Sequence, residues 1–365
     1  MMFETKWEKI LERVYQIEPS IYGSSRNYID GKVSYLSPYI SRGVISTKMV
    51  FEYVQQMDLP HYKTEKFIQE LAWRDYWQQI WISKKDAINQ DLKHPQPDVQ
   101  NFEIPAAIVN ATTGIEAIDT AILDFYKTGY LHNHVRMYIA SLACNIGKSH
   151  WLVPAQWMYY HLLDADWASN ALSWQWVSGA NSNKKYYANQ ANINKYCHTQ
   201  QFGTYLDISY SEFEDLPIPT SLMQQITPKL ETRLPIHSPL QLKNELPTFI
   251  YNFYNLDPQW KKNIEANRIL LLEPSHFKKY PVSSNTIEFV LALGENINGI
   301  QLFVGEFEDL LKTHSIQNMY FKEHPLNHHY QGIQEERDWM FSVKGYYPSF
   351  FAFWKKCQKE MQLPK

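Results

Sequence analysis

Glu70, Trp73, Arg74, Trp77 and Trp81 recur at steps of three and four. One face of a helix over 64–82 would therefore carry a carboxylate, a guanidinium and flat aromatic rings. Such a face could hold a planar polar ligand by stacking, hydrogen bonding and phosphate binding. It also fits an amphipathic helix with an aromatic core stripe. Tyr22, Arg26 and the run Ser34-Tyr35-Leu36-Ser37-Pro38-Tyr39 place hydroxyl and N–H donors ahead of a helix, which suits a phosphate or simply an N-cap and turn. After Thr128-Gly129, the residues Asn133, Arg136 and Met137 share a helical face. His132 and His134 invite a metal reading, but on a helix they point to different sides, so no metal site is expected. Finally, Asp164 and Asp166 precede Asn170, Trp174, Gln175 and Trp176. These two carboxylates could accept hydrogen bonds from an NH-rich heterocycle or a sugar, or they could lie in a surface turn.

The elements that must position these groups change character along the chain. Residues 1–214 read as mainly helical. In one helix the capping-box pattern Thr113-Gly114-Ile115-Glu116 leads into Ile118, Ile122 and Phe125, and Gly129 stops it. Residues 215–247 hold Pro217, Pro219, Pro228, Pro235, Pro239 and Pro247, as a linker or wrapping arm would. Residues 248–365 read as a small α/β domain, with strands expected at 268–273, 300–304 and 319–322 and helices near 285–297 and 306–313. This βαβαβ order predicts a small parallel sheet. No glycine-rich phosphate fingerprint opens its helices. The expected fold class is thus mainly α, followed by a parallel-sheet α/β domain.

Composition narrows the function classes. The 365 residues include 12 Trp, 25 Tyr and 18 Phe, and eight of the Trp lie between Trp73 and Trp176. No 18-residue apolar run predicts a membrane helix, and residues 1–10 do not resemble a secretory signal. Cys144, Cys197 and Cys357 are too few for an iron–sulfur cluster and unsuited to a disulfide framework, so a cytoplasmic location is expected. Net charge is −3, and residues 1–200 carry 19 basic and 19 acidic side chains. Any nucleic-acid contact must come from a local patch, with modest affinity for undamaged DNA and a shallow salt dependence.

Taken together, the runs 34–38, 70–74, 128–137 and 164–176 resemble the FAD-domain signature of the photolyase/cryptochrome family. The resemblance implies a helical domain holding FAD. Tyr22, Ser34, Leu36 and Ser37 match positions around the FAD phosphates, and Arg136, Asp164 and Asp166 match those near the flavin ring, ribose and adenine. Asn170 matches the position facing flavin N5 in repair enzymes. Glu70, Arg74 and Asn133 belong to the same cofactor set. Glu70, Trp73, Asn133, Met137 and Trp176 match the five lesion-pocket positions of cyclobutane pyrimidine dimer photolyases, while Arg26 and Arg74 match DNA-phosphate arginines. The implied activity is that of a deoxyribodipyrimidine photo-lyase: excited, reduced FAD donates an electron to a flipped-out dimer in UV-damaged DNA and recovers it after the ring splits. A cryptochrome-like photoreceptor or a non-repairing FAD-binding relative is the alternative. A monomer is expected.

Three departures accompany the resemblance. The FAD motifs begin within about twenty residues of Met1, leaving no room for the family's N-terminal antenna domain. The C-terminal α/β segment is read as its possible relocated counterpart, with any second chromophore unknown. Trp174 and Trp151 match the inner and middle members of the family's electron-transfer chain, but 94–109 contains no Trp for the outer place and Phe102 is its nearest aromatic. His134 stands where the family often has Arg, with Lys184 and Lys185 as local substitutes.

Overall fold

The structure, a computed structural model, describes residues 3–314, 316 and 318–361. Its helices are α1 (Trp7–Tyr15), α2 (Pro19–Ser25), α3 (Ser37–Ser41), α4 (Thr47–Gln56), α5 (His61–Lys84), α6 (Ala106–Val109), α7 (Glu116–Thr128), α8 (Asn133–Ser141), α9 (Leu152–His161), α10 (Trp167–Ser178), α11 (Gln190–Cys197), α12 (Pro274–Lys279), α13 (Ser284–Gly294), α14 (Phe307–Thr313) and α15 (Phe350–Met361). The strands are β1 (Ile104–Pro105), β2 (Gln225–Ile226), β3 (Thr248–Tyr251), β4 (Asn267–Leu272), β5 (Ile300–Val304), β6 (Met319–Lys322) and β7 (Ile333–Glu335). The mainly helical chain with a C-terminal parallel sheet is the fold class expected from sequence.

Its internal contacts group the chain into two units. One comprises Met1–Ser20, Ser34–Ser83 and Glu231–Lys365, and the other Ile21–Val33 and Lys84–Leu230. This grouping runs across the division expected at 214/215, because α3, α4 and α5 cluster with the sheet-bearing C-terminal part.

In the first unit the sheet has the order β5-β4-β3-β6-β7, parallel throughout. Among the described residues this sheet has five strands where three were expected. β3 escaped the sequence reading because its run TFIY is short, follows Pro247 and leads to β4 through turns instead of a helix. β4 is buried at all six positions, as a central parallel strand requires. Ile250, Ile269, Leu271, Phe303 and Phe321 form one face of the core, closed by Phe307 and Leu310 of α14.

α5 shows how polar residues can serve a core. Its buried surface includes Asp75, Gln78 and Gln79 beside Phe67, Leu71, Tyr76 and Trp77, which blurs the apolar stripe. Each buried polar group is paired. Asp75 accepts hydrogen bonds from Thr47 Oγ1 at 2.8 Å and Met340 N at 2.9 Å. Gln78 Oε1 accepts from Arg337 at 2.7 Å, and Gln79 Oε1 from Gly345 N at 2.9 Å. Residues 337–347 are thereby tied along α5.

In the second unit α7 ends on Gly129 at φ 67°, as its position predicts. The expected capping box is corrected. The cap residue is Ile115, and Asp119 instead ties down the turn before the helix, accepting from Thr113 Oγ1 at 2.7 Å, Thr113 N at 2.8 Å and Gly114 N at 3.1 Å. The Thr113 hydroxyl keeps a local acceptor role, taking a hydrogen bond from Ile115 N at 3.1 Å, so the turn is held from within and from the helix. β2, in the proline-rich stretch, pairs antiparallel with β1, so this part of the stretch lies in the second unit.

Candidate flavin and substrate site

α8 begins at Asn133 with His132 as its cap, so His132 is not on the helix. Its Nδ1 accepts from His134 N at 3.2 Å, which assigns the proton of the neutral ring to Nε2. Burial, helped by the neighbouring His134 and Arg136, pushes the His132 pKa down to about 4. Its buried Nε2 has no hydrogen-bond partner among the described residues. His134 accepts no charge easily either, because burial lowers its pKa. Its Nδ1 lies 2.9 Å from Asn27 O and its Nε2 3.3 Å from Tyr186 OH. It therefore lacks the permanent charge an Arg would present to phosphate.

One turn into α8, Arg136 Nη2 reaches both oxygens of Asp164 at 3.1 Å, while its Nε donates to Leu131 O at 2.8 Å. The Asp164 side chain is only 6% exposed, so this ion pair is held in a set orientation. Asp166 caps α10 by accepting from Ser169 N at 2.8 Å. Asn170 is buried one turn later and donates from Nδ2 to Ala155 O at 2.8 Å. Fixed acceptors and amides of this kind, with the His132 imidazole near Arg136, fit a polar heterocyclic cofactor such as FAD.

The second-unit tryptophans divide sharply. Trp151, Trp157 and Trp167 are fully buried, and each indole N–H has a partner: Asp91 at 2.8 Å, Tyr126 OH at 3.1 Å and Asn89 at 2.6 Å. Trp174 is buried too. Trp176, two residues on, is 40% exposed. Phe102 lies 5.4 Å from the His150 ring, which lies 5.6 Å from Trp151. The aromatic nearest the missing outer Trp is therefore separated from Trp151 by an imidazole. Lys185 pairs with Asp98. Tyr22 is half-buried, and Arg26 donates to Gly23 O.

In the first unit Ser34 Oγ accepts from Leu36 N at 3.5 Å, Leu36 is buried and Ser37 opens α3. Arg74 donates to Ser41 Oγ. Glu70 is half-buried and pairs with Lys66 at 2.8 Å. A partly exposed pair of this kind is worth about 0.3–0.5 kcal/mol. Trp73 is half-buried, and Phe350 stacks on it with ring centroids 3.8 Å apart and planes 9° from parallel. Asp91 and Phe350, the partners of Trp151 and Trp73, carry no motif that sequence reasoning could have found. No group of three His, Cys, Asp or Glu side chains suited to a metal occurs among the described residues.

A family model described as the FAD binding domain of DNA photolyase matches residues 67–235. Residues 67–235 of this chain are thus similar to the FAD binding domain of DNA photolyase. The chain is 25% identical over 209 residues to the deoxyribodipyrimidine photo-lyase of Alkalihalophilus pseudofirmus, covering 54% of this chain and 40% of that protein. It is 27% identical over 190 residues to the cryptochrome DASH of Gloeobacter violaceus, covering 49% and 36%. The solved Synechocystis cryptochrome aligns at 20% identity and a TM-score of 0.46, covering 54% of this chain and 44% of that one. The chain thus spans less than half the length of these relatives. Among the described residues, no helix is long and apolar enough to cross a membrane.

Proposed function

We propose that this flavoprotein repairs cyclobutane pyrimidine dimers in UV-damaged DNA under light. The observation that carries the reading is the exposure pattern. Glu70, Trp73, Asn133, Met137 and Trp176 all keep solvent contact, while Trp77, Trp81, Trp151, Trp157, Trp167 and Trp174 are buried. Trp176, 40% exposed two residues from the buried Trp174, supports the reading by leaving a flat aromatic surface open to solvent.

FAD, when bound, supplies the light-driven electron that opens the dimer. Arg136, Asp164, Asp166 and Asn170 would hold its ring, ribose and adenine side, with Tyr22, Ser34, Leu36 and Ser37 around its phosphates. Glu70, Arg74 and Asn133 complete the set. Trp73 and Trp176 offer flat walls to the flipped-out bases, and Met137 adds a polarisable contact. Glu70 and Asn133 bond the dimer's carbonyls and imides, while Arg26 and Arg74 take DNA phosphates. Trp174 and Trp151 relay electrons for reduction of the cofactor. The C-terminal sheet domain stands as a relocated counterpart of the antenna domain; a non-flavin absorption band in the purified protein is the expected sign, and a pure flavin spectrum counts against it.

The deciding measurement is repair of dimer-containing single- and double-stranded oligonucleotides, in light and in darkness, by protein loaded with reduced FAD. Light-dependent loss of dimers is expected. No repair under those conditions overturns the proposal. One observation favours a cryptochrome-like photoreceptor as the second reading. The buried, charge-averse His134 removes a cation that DNA binding would use.

A further inference from the structure

Trp73 is the last ring of a stack that the C-terminal helix builds. Phe350, the first residue of α15, lies face to face with it, and Trp354 continues the stack 6.2 Å beyond at 11°. Tyr76 closes one side of Phe350 edge-on at 5.7 Å. Phe350 is 2% exposed and Trp354 3%, whereas Trp73 alone among the three keeps appreciable solvent contact. A ring so enclosed is no movable cover. It is a backing plate.

The helix that supplies this ring is itself anchored. Gln358 Nε2 donates to Glu65 at 3.0 Å, Tyr76 OH donates to Tyr347 O at 3.1 Å, and Gly345, Met340 and Arg337 bind the polar side of α5. These contacts grip α5 over several turns around Trp73. An indole with its plane already set loses little freedom when a base stacks on it, and that is the usual source of gain from preorganisation.

We propose that Phe350 is a positioning residue for the substrate platform, fixing the plane of Trp73 so that a flipped-out pyrimidine dimer meets a preset wall. The inference rests on the repair reading above, and it gives the C-terminal segment a direct part in substrate selection.

The test is the ratio of dark affinities for a dimer-containing and an undamaged single strand, measured on the full-length flavin-loaded protein. Phe350→Leu keeps an apolar filling but removes the flat ring, and Phe350→Tyr keeps the ring. The leucine variant should lose about tenfold of the wild-type preference, or about 1.4 kcal/mol, with flavin content unchanged, and the tyrosine variant should keep it. Phe350→Met replaces the leucine variant if that protein purifies without flavin. A wild-type preference fully retained by the leucine or methionine variant overturns this proposal and leaves the repair reading standing. Loss of preference in the tyrosine variant equal to that in leucine also overturns it, because the flat ring would then be irrelevant. A wild-type protein that binds both strands equally overturns both proposals.

Discussion

Helix α5 and the stretch from His132 to Ser178 hold the same kinds of residues in opposite states. In the stretch, Arg136, Asp164, Asp166 and Asn170 are each locked by a named neighbour, and four of its five tryptophans are buried. On the more exposed side of α5, Glu70 and Trp73 stay half-buried. The helix's locked polar residues, Asp75, Gln78 and Gln79, all lie on its buried side. Fixed, paired groups suit a resident cofactor, since they need no reorganisation on binding. Half-exposed groups, with Trp73 already set in its plane by Phe350, suit a substrate that comes and goes.

The comparison can be broken most severely at Arg136. Arg136→Ala leaves the buried Asp164 carboxylate without its partner, a loss of about 3 kcal/mol or more. The variant should purify without flavin absorbance and melt earlier; full flavin content would show that the locked pair is not the cofactor's seat.

The next test uses Asp75, whose burial raises its pKa to about 6 despite its hydrogen bonds to Met340 and Thr47. The carboxyl titrates near 4 in the unfolded chain, so between about pH 4 and 6 the folded state holds a proton that the unfolded state has released. The stability this group supplies is full below about pH 4 and lost as pH rises to about 6, an amount of about 3 kcal/mol. Denaturant melts of wild type should fall relative to Asp75→Asn across that window and run parallel above it. A constant difference would remove Asp75 from the locked class.

Trp174→Phe should slow photoreduction of the flavin about a hundredfold, or about 2.7 kcal/mol in barrier, read by absorbance under blue light. An unchanged rate would break the pairing of Trp174 with Trp151. Glu70→Ala should lower repair yield about tenfold, the range for a hydrogen bond to a charged group, and leave flavin content intact. Loss of flavin in that variant would move Glu70 from the substrate side to the cofactor side.

Much of this was legible before any tertiary contact was known. The helical spacing of Glu70, Trp73, Trp77 and Trp81 located α5, and Gly129 marked the end of α7 because only a left-handed residue ends that helix cheaply. β4, β5 and β6 announced themselves as short apolar runs. β3 did not, since four residues after a proline without a following helix look like loop. The Thr113 pattern misled because local sequence offers two carboxylates, Glu116 and Asp119, and only the folded turn selects between them.

What the sequence determined by itself was the chemical inventory and its order, namely which aromatic, acidic and basic groups stand at helical spacing and hence which family's signature they match. Tertiary structure decided which of those groups are fixed and which remain available. Partners such as Asp91 for Trp151 and Phe350 for Trp73 lie 60 and 277 positions away. Periodicity reports only neighbours within a turn or two, so contacts of that reach are set by packing alone.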